Sequence, residues 1–101
     1  MAGEVNRREL EEAAAMFKAL SDPARLQTLI ILAKNEHNVG ALADIEGDKV
    51  GTISARLKVL LQARLVRRRR DGRSVIYSVA DTHVLNMIEN AVEHATEHHH
   101  A

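Results

Sequence analysis

The sequence predicts a mainly α-helical domain with a β-hairpin wing. Three observations predict it. Apolar residues recur at helical spacing in four successive segments as far as about Val66. The period then changes to that of strands on either side of an Asp71-Gly72 pair. A fifth helical pattern follows the second strand. Helix-turn-helix followed directly by a two-stranded wing is a winged helix-turn-helix layout. With 101 residues, 46% of them apolar, a single domain over residues 1–101 with a small core is expected, its ends loose over about residues 1–8 and 98–101.

Each element has its own signal. Residues from about Glu9 to Leu20 place Leu10, Ala13, Ala14, Phe17 and Leu20 on one side of a helix. The stretch SDPARLQTLIILAKN starts a second: Ser21 or Asp22 can cap it, and Pro23 suits the first helical position, where no amide hydrogen is missed. Leu26, Leu29, Ile30 and Ala33 are its expected buried stripe. A short third helix from about Val39 to Ile45 ends near Gly47. The fourth carries Ile53, Leu57, Leu60 and Leu61 at helical spacing. Strands are expected over Leu65–Arg70 and Val75–Val79, joined through Asp71-Gly72, because Gly and Asp tolerate the positive φ of tight turns. Asp81 or Thr82 then begins a last helix reaching about Glu97, with Leu85, Ile88, Val92 and Ala95 as its apolar stripe.

Composition narrows the function classes. There is no cysteine, so disulfides, iron–sulfur clusters and thiolate metal sites are excluded. No apolar run approaches the ~20 residues that span a bilayer, and no signal-peptide pattern opens the chain, so no membrane partner is expected and a cytoplasmic protein is the simplest reading. Net charge is zero but segregated. Residues 1–48 hold 5 Lys/Arg and 9 Asp/Glu (−4), residues 49–73 hold 9 and 1 (+8), and residues 74–101 hold 0 and 4 (−4). A basic block across the fourth helix and the wing points to a polyanion. In a helix-turn-helix the second helix enters the major groove of double-stranded DNA. Its exposed faces are expected to present Thr52, Ser54, Ala55, Arg56 and Lys58, with Arg56 able to bind guanine bidentately. On the wing, alternation separates Arg67 and Arg69 from Arg68 and Arg70, some of them pairing with acids elsewhere, and Arg73 follows the turn. Arg68, Arg70 and Arg73 are the expected wing contacts. With only Phe17 and Tyr77 aromatic, a single-strand reader lacks its stacking platforms.

The last helix carries a second pattern. His83 and His94 are eleven residues apart, ~16 Å along a helix axis, yet within ~20° of one another around it. One helix cannot bring both to a single ion. An antiparallel second copy, related by a two-fold axis, sets His83 of one chain opposite His94 of the other and creates two equivalent sites. Each takes Asp81 and His83 from one chain and His94 and Glu97 from its partner. Two imidazoles and two carboxylates suit Zn(II) in tetrahedral geometry, and Co(II) or Ni(II) accept the same donors. His98, His99 and His100 could complete such a site. The alternative reading of these residues is an ordinary polar helix surface. His37, in the link before the third helix, has no expected role.

The segments FKALSDPARLQTLIILA, TISARLKVLLQARLVRRRRDGRSVIYSVAD and DTHVLNMIENAVEHATE, together most of the chain from Phe17 onward, resemble the ArsR/SmtB family of bacterial metal-sensing repressors. The last resembles the zinc-sensing branch, whose fifth helix carries Asp-x-His and, eleven residues after that His, His-x-x-Glu or His-x-x-His; here these are Asp81, His83, His94 and Glu97. The resemblance implies a homodimer whose metal-free form binds a palindromic operator and blocks a gene for metal efflux or sequestration, with metal releasing it. Two departures stand out. Where many relatives have cysteines at the start of the third helix, this chain has Asn38 and Gly40, so the soft-metal site is absent. Where relatives tend to have apolar residues around the glycine between the third and fourth helices, it has Glu46 and Asp48. The rival readings are a winged-helix regulator of non-metal signals, a dimerising interaction module with no DNA role, against which the +8 block argues, and a small metallohydrolase. No HExxH pair supports the metallohydrolase, and no enzyme is expected.

Overall fold

The computed structural model describes residues 3–100, with side chains as far as Glu97. The order is α1 (Arg7–Leu20), α2 (Pro23–Lys34), α3 (Val39–Glu46), α4 (Val50–Gln62), β1 (Val66–Asp71), β2 (Ser74–Val79) and α5 (Thr82–His100). This is a winged helix-turn-helix, with α3 and α4 as the paired helices and β1–β2 as the wing.

Most helices begin on a side-chain cap, which satisfies amides that have no partner within the helix. Asn6 and Glu9 form a capping box: Glu9 N–H donates to Asn6 Oδ1 (2.8 Å) and Asn6 N–H to Glu9 Oε1 (3.0 Å). That reciprocal pair carries α1 back to Arg7, so the expected loose end over residues 1–8 is too long. Asp22 caps α2 by accepting from Arg25 N–H, with Pro23 at its first position. Asn38, at one of the positions where the resemblance would put cysteine, caps α3 by accepting from Ala41 N–H (2.8 Å). At the other end of the chain, the helix continues beyond Glu97 to His100. Met1, Ala2 and Ala101, and the side chains of His98–His100, lie outside the described residues. The idea that those histidines complete a metal site lies there too.

Two helices close on left-handed residues. Gly47 (φ +68°) ends α3. At the end of α4 the same backbone shape is held by Arg64 (φ +62°). Leu65 N–H donates to Leu60 C=O (2.9 Å) and Arg64 N–H to Leu61 C=O (3.0 Å), the bond pair of a Schellman cap.

The core gathers Leu29, Leu32, Leu42, Ile53, Leu57, Leu60, Leu65, Val84 and Ile88. In α2 the most buried positions are Thr28, Leu29 and Leu32, while Leu26, Ile30 and Ala33 of the expected stripe are only half-buried. The helix is packed by α1, α4, α5 and β2, so it has no single inner face. By contrast α1 leaves Leu10 and Phe17 59% and 65% exposed. Among the described residues of α5 only Val84 and Ile88 are buried, and Val92 and Ala95 of its expected stripe are exposed.

The wing strands are antiparallel, in register from Val66↔Val79 to Asp71↔Ser74. Asp71 therefore closes the ladder, and the two turn residues are Gly72 and Arg73. Only Gly72 has positive φ (+62°). The turn sits one residue later than the Asp-Gly pair suggests, with glycine at its first central position, as a type II′ hairpin demands. His37, which the sequence left without a role, pairs with β2. Its N–H donates to Tyr77 C=O (3.1 Å), and its C=O accepts from Tyr77 N–H (2.9 Å). The link between α2 and α3 is thereby tied to the wing.

Candidate nucleic-acid interface and metal-ligand helix

The basic face is built from α4 and the wing. Thr52, Ser54, Ala55 and Lys58 are exposed on α4, clear of the buried stripe Ile53, Leu57 and Leu60. Arg68, Arg70 and Arg73 are exposed on the wing. Among the described residues Lys58, Arg68, Arg70 and Arg73 form no ion pair. Arg69 is different: its guanidinium pairs with Glu36 on the link between α2 and α3. Between α4 and the wing runs a groove of about 420 Å³, lined by Ser54, Lys58, Gln62, Arg68 and Tyr77 among others. Lys58 and Arg68 set positive charge on both banks. Tyr77 is a lining residue that the sequence reading missed. Its signal was the alternation that puts it across from Arg68 in the ladder.

Arg56 departs most from expectation. Its side chain is only 17% exposed, and Nη1 donates to Glu46 Oε1 (3.2 Å) and Asp48 Oδ2 (2.9 Å). The expected guanine reader is held inside the helix-turn-helix. Glu46, 4% exposed, in turn accepts from the Thr28 hydroxyl, which lies 2.8 and 2.9 Å from its two oxygens. This explains how the two acids around Gly47 are accommodated: their charge is met by Arg56, and the buried carboxylate also takes a hydroxyl from α2. No short-range sequence signal could have found it, because the partners are 8, 10 and 18 residues apart on different elements.

The four candidate metal ligands divide between the two ends of α5. Asp81 Oδ1 accepts from Val84 N–H (2.9 Å), the helix-capping bond, and lies 3.9 Å from His83 Nδ1. The His83 side chain is 95% exposed. His94 and Glu97 are exposed three helical turns later. Among the described residues of one chain, no group of three or more His, Asp or Glu is gathered around a point where an ion could sit. The donor set itself fits a divalent ion of the zinc type, with imidazole nitrogens and carboxylate oxygens and no sulfur. Asp81 keeps Oδ2 beside its capping bond. Each end of the helix holds two of the four candidate ligands.

The comparison with known proteins bears on the whole arrangement. Residues 22–68 match the family described as bacterial regulatory protein, arsR family. A transcriptional repressor SmtB homolog from Synechocystis sp. is 38% identical over 88% of this chain and 67% of its own length. The chain belongs to the arsR family of bacterial regulatory proteins. The HTH-type transcriptional regulator KmtR of Mycobacterium tuberculosis is 40% identical over 79% of this chain and 64% of its own length. The chain thus spans about two thirds of the length of these two arsR-family relatives. Among solved structures, the homodimeric winged helix-turn-helix DNA-binding domain of a possible ArsR-family regulator from Mycobacterium bovis is 36% identical. It superposes with a TM-score of 0.86 over 97% of this chain and 93% of its own. These relatives are regulators rather than enzymes. Among the described residues, no helix is long and apolar enough to cross a membrane.

Proposed function

We propose that this chain is a homodimeric, metal-responsive transcriptional repressor. Its metal-free dimer binds a palindromic operator in double-stranded DNA, and Zn(II) lowers that affinity, releasing a gene for metal efflux or sequestration. What supports the reading is a candidate ligand set divided between the two ends of α5, with no three of its members gathered among the described residues of one chain. Two antiparallel copies of α5 complete it twice. Asp81 and His83 of one protomer then face His94 and Glu97 of the partner subunit. When bound there, a divalent ion would supply a cross-link between the protomers. Co(II) and Ni(II) are the alternative ions for the same donors.

The residues of α4 and the wing divide the DNA contact. Thr52, Ser54 and Ala55, in the first turns of α4, meet base edges. Lys58, Arg68, Arg70 and Arg73 meet phosphates, which fix register and make binding salt-dependent. Two half-sites about one helical turn apart require the two α4 helices at a fixed separation. Fixing the angle between protomers through α5 changes that separation. By linkage, operator DNA weakens metal binding by the factor with which metal weakens DNA binding. Ligation needs neutral imidazole and ionised carboxylate, so metal affinity falls as pH falls.

The test is an operator titration with and without Zn(II), Co(II) and Ni(II), at stated salt. His94→Ala is expected to keep metal-free DNA binding and to lose the metal response. Loss of metal-free binding in the same variant would make His94 a structural residue and overturn the sensing role.

A further inference from the structure

The cluster around Glu46 was not absorbed by the function above. We propose that Arg56 is a positioning residue of the recognition helix and not a base reader: with Glu46, Thr28 and Asp48 it fixes how α4 is seated on α2 and α3. The inference rests on the DNA-binding half of the proposed function.

Three observations carry it. The cluster joins three helices, with Thr28 in α2, Glu46 as the last residue of α3 and Arg56 in α4. It is buried: Thr28 has no exposed surface, the Glu46 side chain is 4% exposed and that of Arg56 17%. It is also satisfied, since among the described residues no buried side-chain nitrogen or oxygen lacks a hydrogen-bond partner. A buried carboxylate is tolerated only while its partners stay in place. Were Arg56 to swing out to a base, Glu46 would keep a buried charge with one hydroxyl to meet it. Asp48 would lose the cation it pairs with. The planar guanidinium suits the task, because its fixed fork of donors can serve two carboxylates from one orientation. With Arg56 held, the exposed residues in the first two turns of α4 are Val50, Gly51, Thr52, Ser54 and Ala55. None carries a charge, so base readout there rests on hydroxyls and apolar contacts.

The two roles predict opposite signs. The probe is a duplex selected by the wild-type chain from a random-sequence library, beside a scrambled duplex and one with 7-deazaguanine in place of guanine. If Arg56 positions α4, Glu46→Gln and Arg56→Gln both weaken binding to the selected duplex, and the double variant is no worse than the weaker single. The salt slope stays unchanged, and the penalty for 7-deazaguanine is the same with and without Arg56. If Arg56 reads DNA, Glu46→Gln frees it and tightens binding while Arg56→Gln weakens it. That change would also cost ~0.9 of the salt slope for a phosphate contact, or erase a guanine preference of roughly tenfold for a base contact. Either result would overturn the proposal. A variant that fails to fold is bypassed by nitrogen NMR of the wild-type guanidinium groups. The Arg56 resonances are expected to stay in place when the selected duplex is added, and their movement to DNA-bound positions would equally overturn it. If the wild-type chain selects no duplex at all, the repressor reading fails first and this assignment falls with it.

Discussion

The helix-turn-helix with its wing and the outer part of α5 are two differently finished regions of one chain. In the first, polar groups meet inside the chain: Arg56 with Glu46 and Asp48, Arg69 with Glu36, and the His37 backbone with Tyr77. Apolar residues there close a core through Leu57, Leu60 and Leu65. In the second, nothing from Glu89 to Glu97 is buried, and Val92 joins Phe17 and Leu10 of α1 as large apolar side chains left bare. Ile45 and Val50 of the helix-turn-helix are exposed too, so what separates the regions is the polar closure of the first; in the proposed dimer a second copy would cover the bare faces of α1 and α5. An exposed apolar face on a folded domain is the ordinary mark of an interaction site.

Three substitutions sharpen that contrast. The largest effect belongs to the finished region. Leu57→Ala removes a side chain that is almost wholly buried, and is expected to lower the unfolding free energy by about 2–5 kcal/mol in a denaturant titration. Next comes the unfinished face. Phe17→Ala is expected to raise the dimer dissociation constant tenfold or more, measured by sedimentation, from about 1.5–3 kcal/mol of lost ring burial per copy. A variant as dimeric as the parent would show that α1 lies outside the interface. The smallest effect falls within the first region, at the turn between α4 and the wing. Arg64 holds a left-handed conformation that costs a side chain ~1–2 kcal/mol. Arg64→Gly relieves it but loses more entropy on folding, so a net gain of about 0.5–1 kcal/mol is expected in the melting curve. Destabilisation would mean that the Arg64 side chain makes a contact worth more than the strain.

The fold was largely legible because its signals are local. Pro23 after Asp22, Gly47 after α3 and the change of period after α4 mark boundaries that short-range sterics and capping enforce. The Asn6–Glu9 capping box was equally local, and a reading that noted N-x-x-E would have started α1 where it starts. The turn was misplaced by one residue because Asp and Gly both tolerate positive φ, and the ladder register decides which of them adopts it. The candidate site was legible only in part. Exposure on α4 follows from helical period, which correctly sets Thr52, Ser54, Ala55 and Lys58 apart from the buried stripe. Whether an arginine on such a face is free or held depends on what the fold brings beside it. Glu46 and Thr28 are invisible to periodicity at Arg56. The same holds for His37, whose partner arrives from forty residues away.

That last pairing has a mechanical consequence. Two backbone bonds fasten the loop ahead of α3 to the second wing strand, so the wing is not a free arm. The Arg69–Glu36 ion pair rivets the neighbouring strand to the same loop. A shift of that loop is therefore carried into both wing strands. In the proposed dimer each protomer would then present α4 and a braced wing to DNA together.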